Sequence, residues 1–209
     1  MDQETKHAEL NERKWDARAA TFDQKRFGYF RWMQRRVIGL IDLRPNMHFL
    51  DIGCGTGWAV RYVASRLQDQ GKFDGVDISG AMIETARAKS RDFKNVYFFK
   101  SNAEQLPLEN GSVDCVICTN SFHHYLDPSR VLTEIHRVLA VAGHLHLLDI
   151  TTDDFFIRWI DGLARRWERE HVRFYNSREY QTMFAAAQLK YLNSRLILYP
   201  IKVHVAEKI

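Results

Sequence analysis

The sequence predicts an α/β fold, doubly wound about a mostly parallel sheet, and three observations carry that reading. Between His48 and Ile150 short apolar runs alternate with helical stretches, the rhythm of successive βαβ units. The first apolar run breaks into a loop with glycines at positions 53, 55 and 57 and then turns helical. Near the far end two strand-like runs follow each other so closely that they must pair antiparallel, since a parallel crossover needs a dozen or more residues. With 209 residues, 45% of them hydrophobic, the chain can bury one good core and is short for two large ones.

Taken in order, residues 6–44 read as helices. Within 27–41, Phe30, Met33, Val37, Ile38 and Ile41 share one face at helical spacing. Pro45 stops this segment, because the residue before a proline is pushed out of helical geometry. Strands are expected at 48–54, 73–78, 96–101, 113–120 and 143–150, with helices at 57–68, 79–90 and 128–140. Asp127 is the N-cap of the last helix, with Pro128 in its first position. After Ile150 come an aromatic, arginine-rich helix over 155–170, a helix over 177–188, and strands at 191–199 and 202–206. The expected division is a helical cap over 1–45 and a single structural unit over 46–209.

Composition narrows the function classes. Three cysteines make no disulfide framework, which fits a reducing compartment. Cys115 and Cys118 are spaced like half of a zinc site, yet strand alternation sends positions three apart to opposite faces and no second pair completes a ligand set; no metal is expected. The net charge of +4 is spread over interleaved acids and bases, without the clustering of a nucleic-acid module. Apolar runs such as 195–201 fall far short of the roughly 20 residues of a membrane helix. The charged first fifteen residues lack the apolar stretch of a secretory signal, so a cytoplasmic protein without a membrane span is expected.

The glycine loop is the most informative segment. Its spacing is GxGxG and not the dinucleotide GxGxxG, which must seat a pyrophosphate on a helix N-terminus. Asp51, just before the glycines, suits a cationic ligand that it meets directly or through water, where a pyrophosphate would be repelled. S-adenosylmethionine, with an amino acid end, a sulfonium and an adenosine, meets that description. Asp77 closes the next strand, where a carboxylate can accept both ribose hydroxyls; the plainer alternative is a cap for the helix from Ser79. Asn102 and the backbone after it close the third strand, near an adenine edge, and Asn120 closes the fourth.

Five stretches, LDIGCGTG, GVDIS, SNAEQLP, VDCVICTNSFHHYLDP and EIHRVLAVAGHLHLLD, together resemble the successive motifs of class I S-adenosylmethionine-dependent methyltransferases. The likeness is nearest to the broad family that holds the ubiquinone and menaquinone biosynthesis methyltransferases, and it covers about residues 15–150. It implies a Rossmann-like seven-stranded sheet in the order 3-2-1-4-5-7-6, strand 7 antiparallel. It also implies a methionine-end loop at Asp51, Gly53, Gly55 and Gly57, a ribose acceptor at Asp77, an adenine site at Asn102 and Ala103, and a cofactor-lining Asn120. Cys54, Ile78, Met82 and Glu104 are counted among the cofactor-binding positions. Many relatives carry Asp where this chain has Asn102. The pattern WDARAATFD resembles the lead segment that folds over the cofactor, placing Trp15 and Phe22 where aromatic rings cradle the sulfonium.

Methyl transfer mainly requires that a nucleophile be held in line with the methyl group, which can supply about 7–11 kcal/mol of barrier reduction. A base matters only when the acceptor loses a proton, and His123 and His124, just beyond the fourth strand, are the candidates. Being adjacent, they cannot easily both point into one pocket. The absence of an NPPY-type sequence there disfavours methylation of exocyclic base nitrogens. The segment 155–175, with Trp159 and Trp167, is expected to complete a pocket for a flat or apolar small molecule. Alternatives are a methyltransferase acting on ribosomal RNA or protein, a non-catalytic S-adenosylmethionine sensor, and an NAD-dependent oxidoreductase, the last opposed by the loop spacing.

Overall fold

The computed structural model describes residues 3–25, 27–167 and 172–209. Strand β1 (Met47–Ile52) is buried along its whole length, and the sheet is built outward from it. On one side lie β2 (Gly71–Asp77) and β3 (Val96–Lys100), on the other β4 (Val113–Thr119) and β5 (Leu139–Ile150), all parallel. β7 (Ile201–Lys208) runs antiparallel against β5, and β6 (Leu189–Leu198) antiparallel against β7. The order is β3-β2-β1-β4-β5-β7-β6, as the motifs imply.

Alternating side chains feed two apolar layers. Phe49 joins the layer closed by α2 (Phe27–Ile38), α3 (Trp58–Arg66) and α4 (Gly80–Ala88), while Leu50 joins the layer closed by α5 (Pro128–Val138) and α7 (Ser177–Ala186). Cys115 and Cys118 fall in opposite layers, as their spacing requires. Helix starts follow capping chemistry: Asp127 accepts from the amides of Ser129 and Arg130, both at 3.0 Å. Asn176 and Glu179 form a reciprocal capping box that opens α7.

Most boundaries lie within two residues of expectation, and the junction of α5 and β5 differs most, β5 starting at Leu139 and not at 143. α5 ends at Val138, because Leu139 passes directly into the ladder opposite Val113 and a bulge with Ala142 at φ 61° precedes Gly143. α6 (Phe155–Trp167) is the aromatic helix; its expected last residues, 168–170, lie outside the described residues. No described helix is long and apolar enough to cross a membrane.

Helix α1 (Gln3–Lys25) reaches across the strand ends and is tied there by polar contacts. Asp16 accepts from the Ser79 hydroxyl at 2.5 Å and the Ala81 amide at 3.1 Å, so its carboxylate sits at the positive end of α4. Glu12 pairs with Lys100 at 2.6 Å. His7 Nε2 and Asn11 Nδ2 both donate to the His124 carbonyl, at 2.9 and 3.3 Å.

Burial pushes His146 and His204 down from 6.5 to about 4, so the folded chain holds them neutral while the unfolded chain protonates them. Stability present above pH 6.5 is therefore lost as the pH falls toward 4, by about 2 kcal/mol per histidine between pH 7 and pH 5. His204→Phe should flatten that slope in urea titrations at the two pH values, and an unchanged slope would refute the assignment. Asp16→Ala should cost about 1 kcal/mol and speed hydrogen exchange in α1 while leaving β1 and β4 protected. Equal protection of α1 in both proteins would show that Asp16 does not anchor it.

Candidate cofactor site

The glycine loop is fixed by what lies against it. Gly53, Gly55 and Gly57 have φ values of 73°, 53° and 73°, left-handed backbone that glycine adopts without strain. A Cβ on Gly53 would fall 2.5 Å from the Ser121 hydroxyl oxygen, and one on Gly57 2.5 Å from the Phe98 ring. At Gly55 the nearest atom would be the Phe22 ring at 3.6 Å, so that face is open. The Gly53 and Cys54 amides both donate to the Val76 carbonyl, at 2.8 and 3.0 Å, tying the loop to β2.

Asp77 closes β2 and joins the two loops. One carboxylate oxygen accepts from the Gly55 amide at 2.8 Å, the other from the Ser79 amide at 2.9 Å. Burial raises its pKa and these backbone donors oppose the rise. The Ile78 amide also interacts with this carboxylate, so three backbone donors share its four lone-pair directions and some acceptor capacity remains where it lines the cavity. Ser79, not Asp77, caps α4, accepting from the Met82 amide at 3.1 Å.

A cavity of about 430 Å³ lies at the carboxyl ends of β1, β2, β3 and β4 under α1 and α2, where open α/β sheets bind ligands. Its lining includes Trp15, Phe22, Gly53, Cys54, Gly55, Asp77, Ile78, Met82, Asn102, Ala103, Glu104, Asn120 and His124, all expected from the sequence. Asn102 spends its side-chain oxygen on the Glu104 amide at 3.1 Å, which leaves its NH₂ as the donor. Asn120 stands in left-handed backbone at φ 54°, and its buried side-chain nitrogen has no hydrogen-bond partner.

Three expected residues stand outside that lining: Asp51, Gly57 and His123. Asp51 pairs with Gly75 and Ile117 in the middle of the sheet, so its carboxylate is sealed beneath the loop and cannot meet a ligand directly. Both its oxygens lack a partner, and burial, then Asp77, raises its pKa well above the usual carboxylate value. Gly57 serves packing against Phe98. His123 turns to Asp149: its Nδ1 lies 2.9 Å from both carboxylate oxygens, and its backbone amide donates to one of them at 3.1 Å. His124 is buried in the cavity wall, edge-on to Trp15 at 5.6 Å.

Among the described side chains of α6, expected to complete the pocket, none lines this cavity. Phe155, Phe156 and Trp159 face outward, Trp159 being 56% exposed. The side chain of Trp167 lies outside the described residues. Farther along the chain the backbone does approach the site, since the Val172 amide donates to the His123 carbonyl at 3.0 Å.

Several lining residues were not foreseen: His7 and Asn11 on α1, Arg31 and Gln34 on α2, and the hydrogen-bonded pair Ser121 and Tyr125. His7, Asn11, Trp15 and Phe22 recur at steps of four, four and seven, one helical face that periodicity could have shown. The residues present fit S-adenosylmethionine: open glycine backbone, a carboxylate at the end of β2 with acceptor capacity toward the cavity, an unpartnered amide donor and a buried acid beneath the loop.

Residues 50–147 match the family model described as a methyltransferase domain. The methyltransferase YcgJ of Bacillus subtilis is 31% identical over 170 residues, covering 79% of this chain and 66% of the relative. Its crystal structure superposes with a TM-score of 0.68 at 29% identity, covering 78% and 70% of the two chains. The ubiquinone/menaquinone biosynthesis C-methyltransferase of Shewanella frigidimarina is 30% identical over 133 residues, 62% of this chain and 53% of the relative. A methyltransferase of Aquifex aeolicus shares the fold at 21% identity and a TM-score of 0.74, covering 93% and 98%. The chain spans between 39% and 66% of the length of the first curated relatives it matches. With the strand order, the open glycine loop and the family match in agreement, the chain belongs to the class I S-adenosylmethionine-dependent methyltransferases.

Proposed function

We propose that the chain transfers the methyl group of S-adenosylmethionine to a small, largely apolar molecule, and that His124 takes the proton this acceptor gives up. The observation that carries the reading is the meeting, in one cavity, of the open glycine loop, the carboxylate of Asp77 and the unpartnered amide of Asn120. When bound, S-adenosylmethionine supplies a methyl group on a positively charged sulfur, reactive without further activation.

The chain's residues then divide the work. Asp77 accepts from the ribose hydroxyls, while the Asn102 amide and the Ala103 backbone meet the adenine edge. Trp15 and Phe22 exclude water and turn their rings to the sulfonium. Asp51 is buried beneath the loop, where burial favours its neutral form, and a cation bound above it would favour the charged one. His124 lies in the cavity wall, where a proton leaving the acceptor can be taken. His123 is a positioning residue: Asp149 holds its ring and its amide, which fixes the turn carrying His124. The C-methyltransferase among the relatives supports an acceptor that loses a proton, as carbon acids do.

Asp77→Asn should weaken S-adenosylmethionine binding about tenfold to a hundredfold by calorimetry, and unchanged affinity would remove the ribose assignment. His124→Ala should lower kcat about a hundredfold with cofactor affinity intact, whereas full activity across the pH range would leave His124 as scaffolding. Binding of the cofactor with no S-adenosylhomocysteine formed across a panel of phenols, quinols and amines would favour a sensor over an enzyme.

A further inference from the structure

Helix α1 carries into the cavity wall one polar side chain that its fastening uses only in part. Asn11 lines the cavity and is 7% exposed. Its Nδ2 lies 3.1 Å from His7 Nε2 and donates to the His124 carbonyl at 3.3 Å. A carbonyl only accepts, so this bond turns the amide nitrogen toward the turn after β4 and the amide oxygen away from it. That oxygen, Oδ1, is buried and has no hydrogen-bond partner among the described residues. Buried polar atoms are paired almost everywhere in folded proteins, and an unpaired one in the wall of a ligand cavity is an atom for a ligand to complete. The residue type points the same way, because asparagine is a poor choice for the interior of a helix, where alanine or leucine would hold α1 better.

We infer that Asn11 reads the methyl acceptor: its Oδ1 accepts a hydrogen bond from a hydroxyl or N–H of that molecule, and the site selects acceptors that carry such a donor over molecules of similar size that lack it. The inference rests on the proposed methyl transfer at this site. Placement assigns the atom to the acceptor and not to the nucleoside. Asp77 and Asn102, the groups proposed for the nucleoside, stand at the end of β2 and just past β3. Asn11 is instead attached to the turn after β4, at the backbone of His124, the residue proposed to take the acceptor's proton. Trp15, one turn further along α1, lies edge-on to the His124 ring at 5.6 Å, so Asn11, Trp15 and His124 share one corner of the cavity. The selection runs in one direction. An amide oxygen accepts and does not donate, so it favours a phenol or an amine and disfavours an ether oxygen or a methyl group in the same place. A buried polar atom built to be paired rejects analogues that leave it unpaired more strongly than an apolar wall distinguishes them.

The test measures, by calorimetry on the chain saturated with S-adenosylhomocysteine, the binding of phenol and aniline, which carry a donor, against toluene and anisole, which do not. The wild-type chain should bind the first pair about tenfold more tightly than the second. Asn11→Leu, which keeps the volume and removes the oxygen, should erase that preference by weakening phenol and aniline alone, with affinity for S-adenosylhomocysteine unchanged. Glu12→Ala breaks the pair with Lys100 at 2.6 Å and so loosens α1 from outside the cavity lining; it should leave the preference in place. No preference in the wild-type chain, a preference that survives Asn11→Leu, or equal weakening of all four compounds overturns the inference while the cofactor reading stands. Weaker S-adenosylhomocysteine binding in Asn11→Leu with the preference kept gives the oxygen to the cofactor and also overturns it. A wild-type chain that does not bind S-adenosylhomocysteine overturns the cofactor reading and this inference with it.

Discussion

The carboxylate of Asp77 is the joint on which the site depends. Its two oxygens receive amides from two different loops, Gly55 from the turn after β1 and Ser79 from the start of α4. A carboxylate held at both ends cannot rotate, so its remaining acceptor sites keep a fixed direction. Apolar packing sets the distance between the same parts. A Cβ on Gly75 would lie 2.7 Å from the Phe98 ring and 2.9 Å from the Cys54 sulfur, and a Cβ on Gly57 would strike Phe98 as well. Phe98 of β3 thus presses against both the loop and β2. The loop's height comes from that ring, and its orientation comes from Asp77.

This arrangement concentrates unfavourable polar burial at one end of the sheet. Asp51 has two buried oxygens without partners, and Asn120 has one buried nitrogen in the same condition. Each such group costs about 1–3 kcal/mol against its hydrated state, more when charged. The two continuous apolar layers offset this, since nearly every strand side chain of β1 and β4 is sealed. Local violations of good packing chemistry are expected where a ligand completes them. A cation above the loop would lower the cost of Asp51, and a hydrogen-bond acceptor beside Asn120 would satisfy its amide.

Most of the fold was legible because it is written in local patterns. The GxGxG turn, the cap at Asp127 with Pro128 after it, and the closely spaced final strands each specify a local geometry with few alternatives. The site residues on strand ends were legible for the same reason, as their position along a strand places them. The misplaced residues depend on contacts between distant parts of the chain. Asp51 reads as a ligand contact, but its neighbours Gly75 and Ile117 come from other strands, and only the sheet shows that it is enclosed. Asp149 holds His123 across 26 residues of chain, which no spacing rule reports. Arg31, Arg35 and Arg36 look alike in an arginine-rich helix until Trp58 and the cavity single out one of them. In α6 the helical spacing of aromatics is real, yet spacing alone does not say whether a face turns inward or outward.

The cover over the cavity is fastened differently from the rest of the molecule. Among the described side chains of α1, only Asn11 and Ala19 are buried, so the helix gains little from apolar burial. Its attachment rests on Asp16 at the start of α4, Glu12 on Lys100, and His7 and Asn11 on the His124 carbonyl. Contacts of this kind are worth about 1 kcal/mol each, because water replaces them when they break. Breaking these contacts would leave the two apolar layers of the sheet intact, because none of them is part of either layer. The same contacts bring Trp15 against His124 and Phe22 against Gly55, so the helix that spans the strand ends also supplies part of the cavity wall. The helix is thus polar at its fastenings and aromatic where it faces the cavity, the arrangement that a removable cover requires.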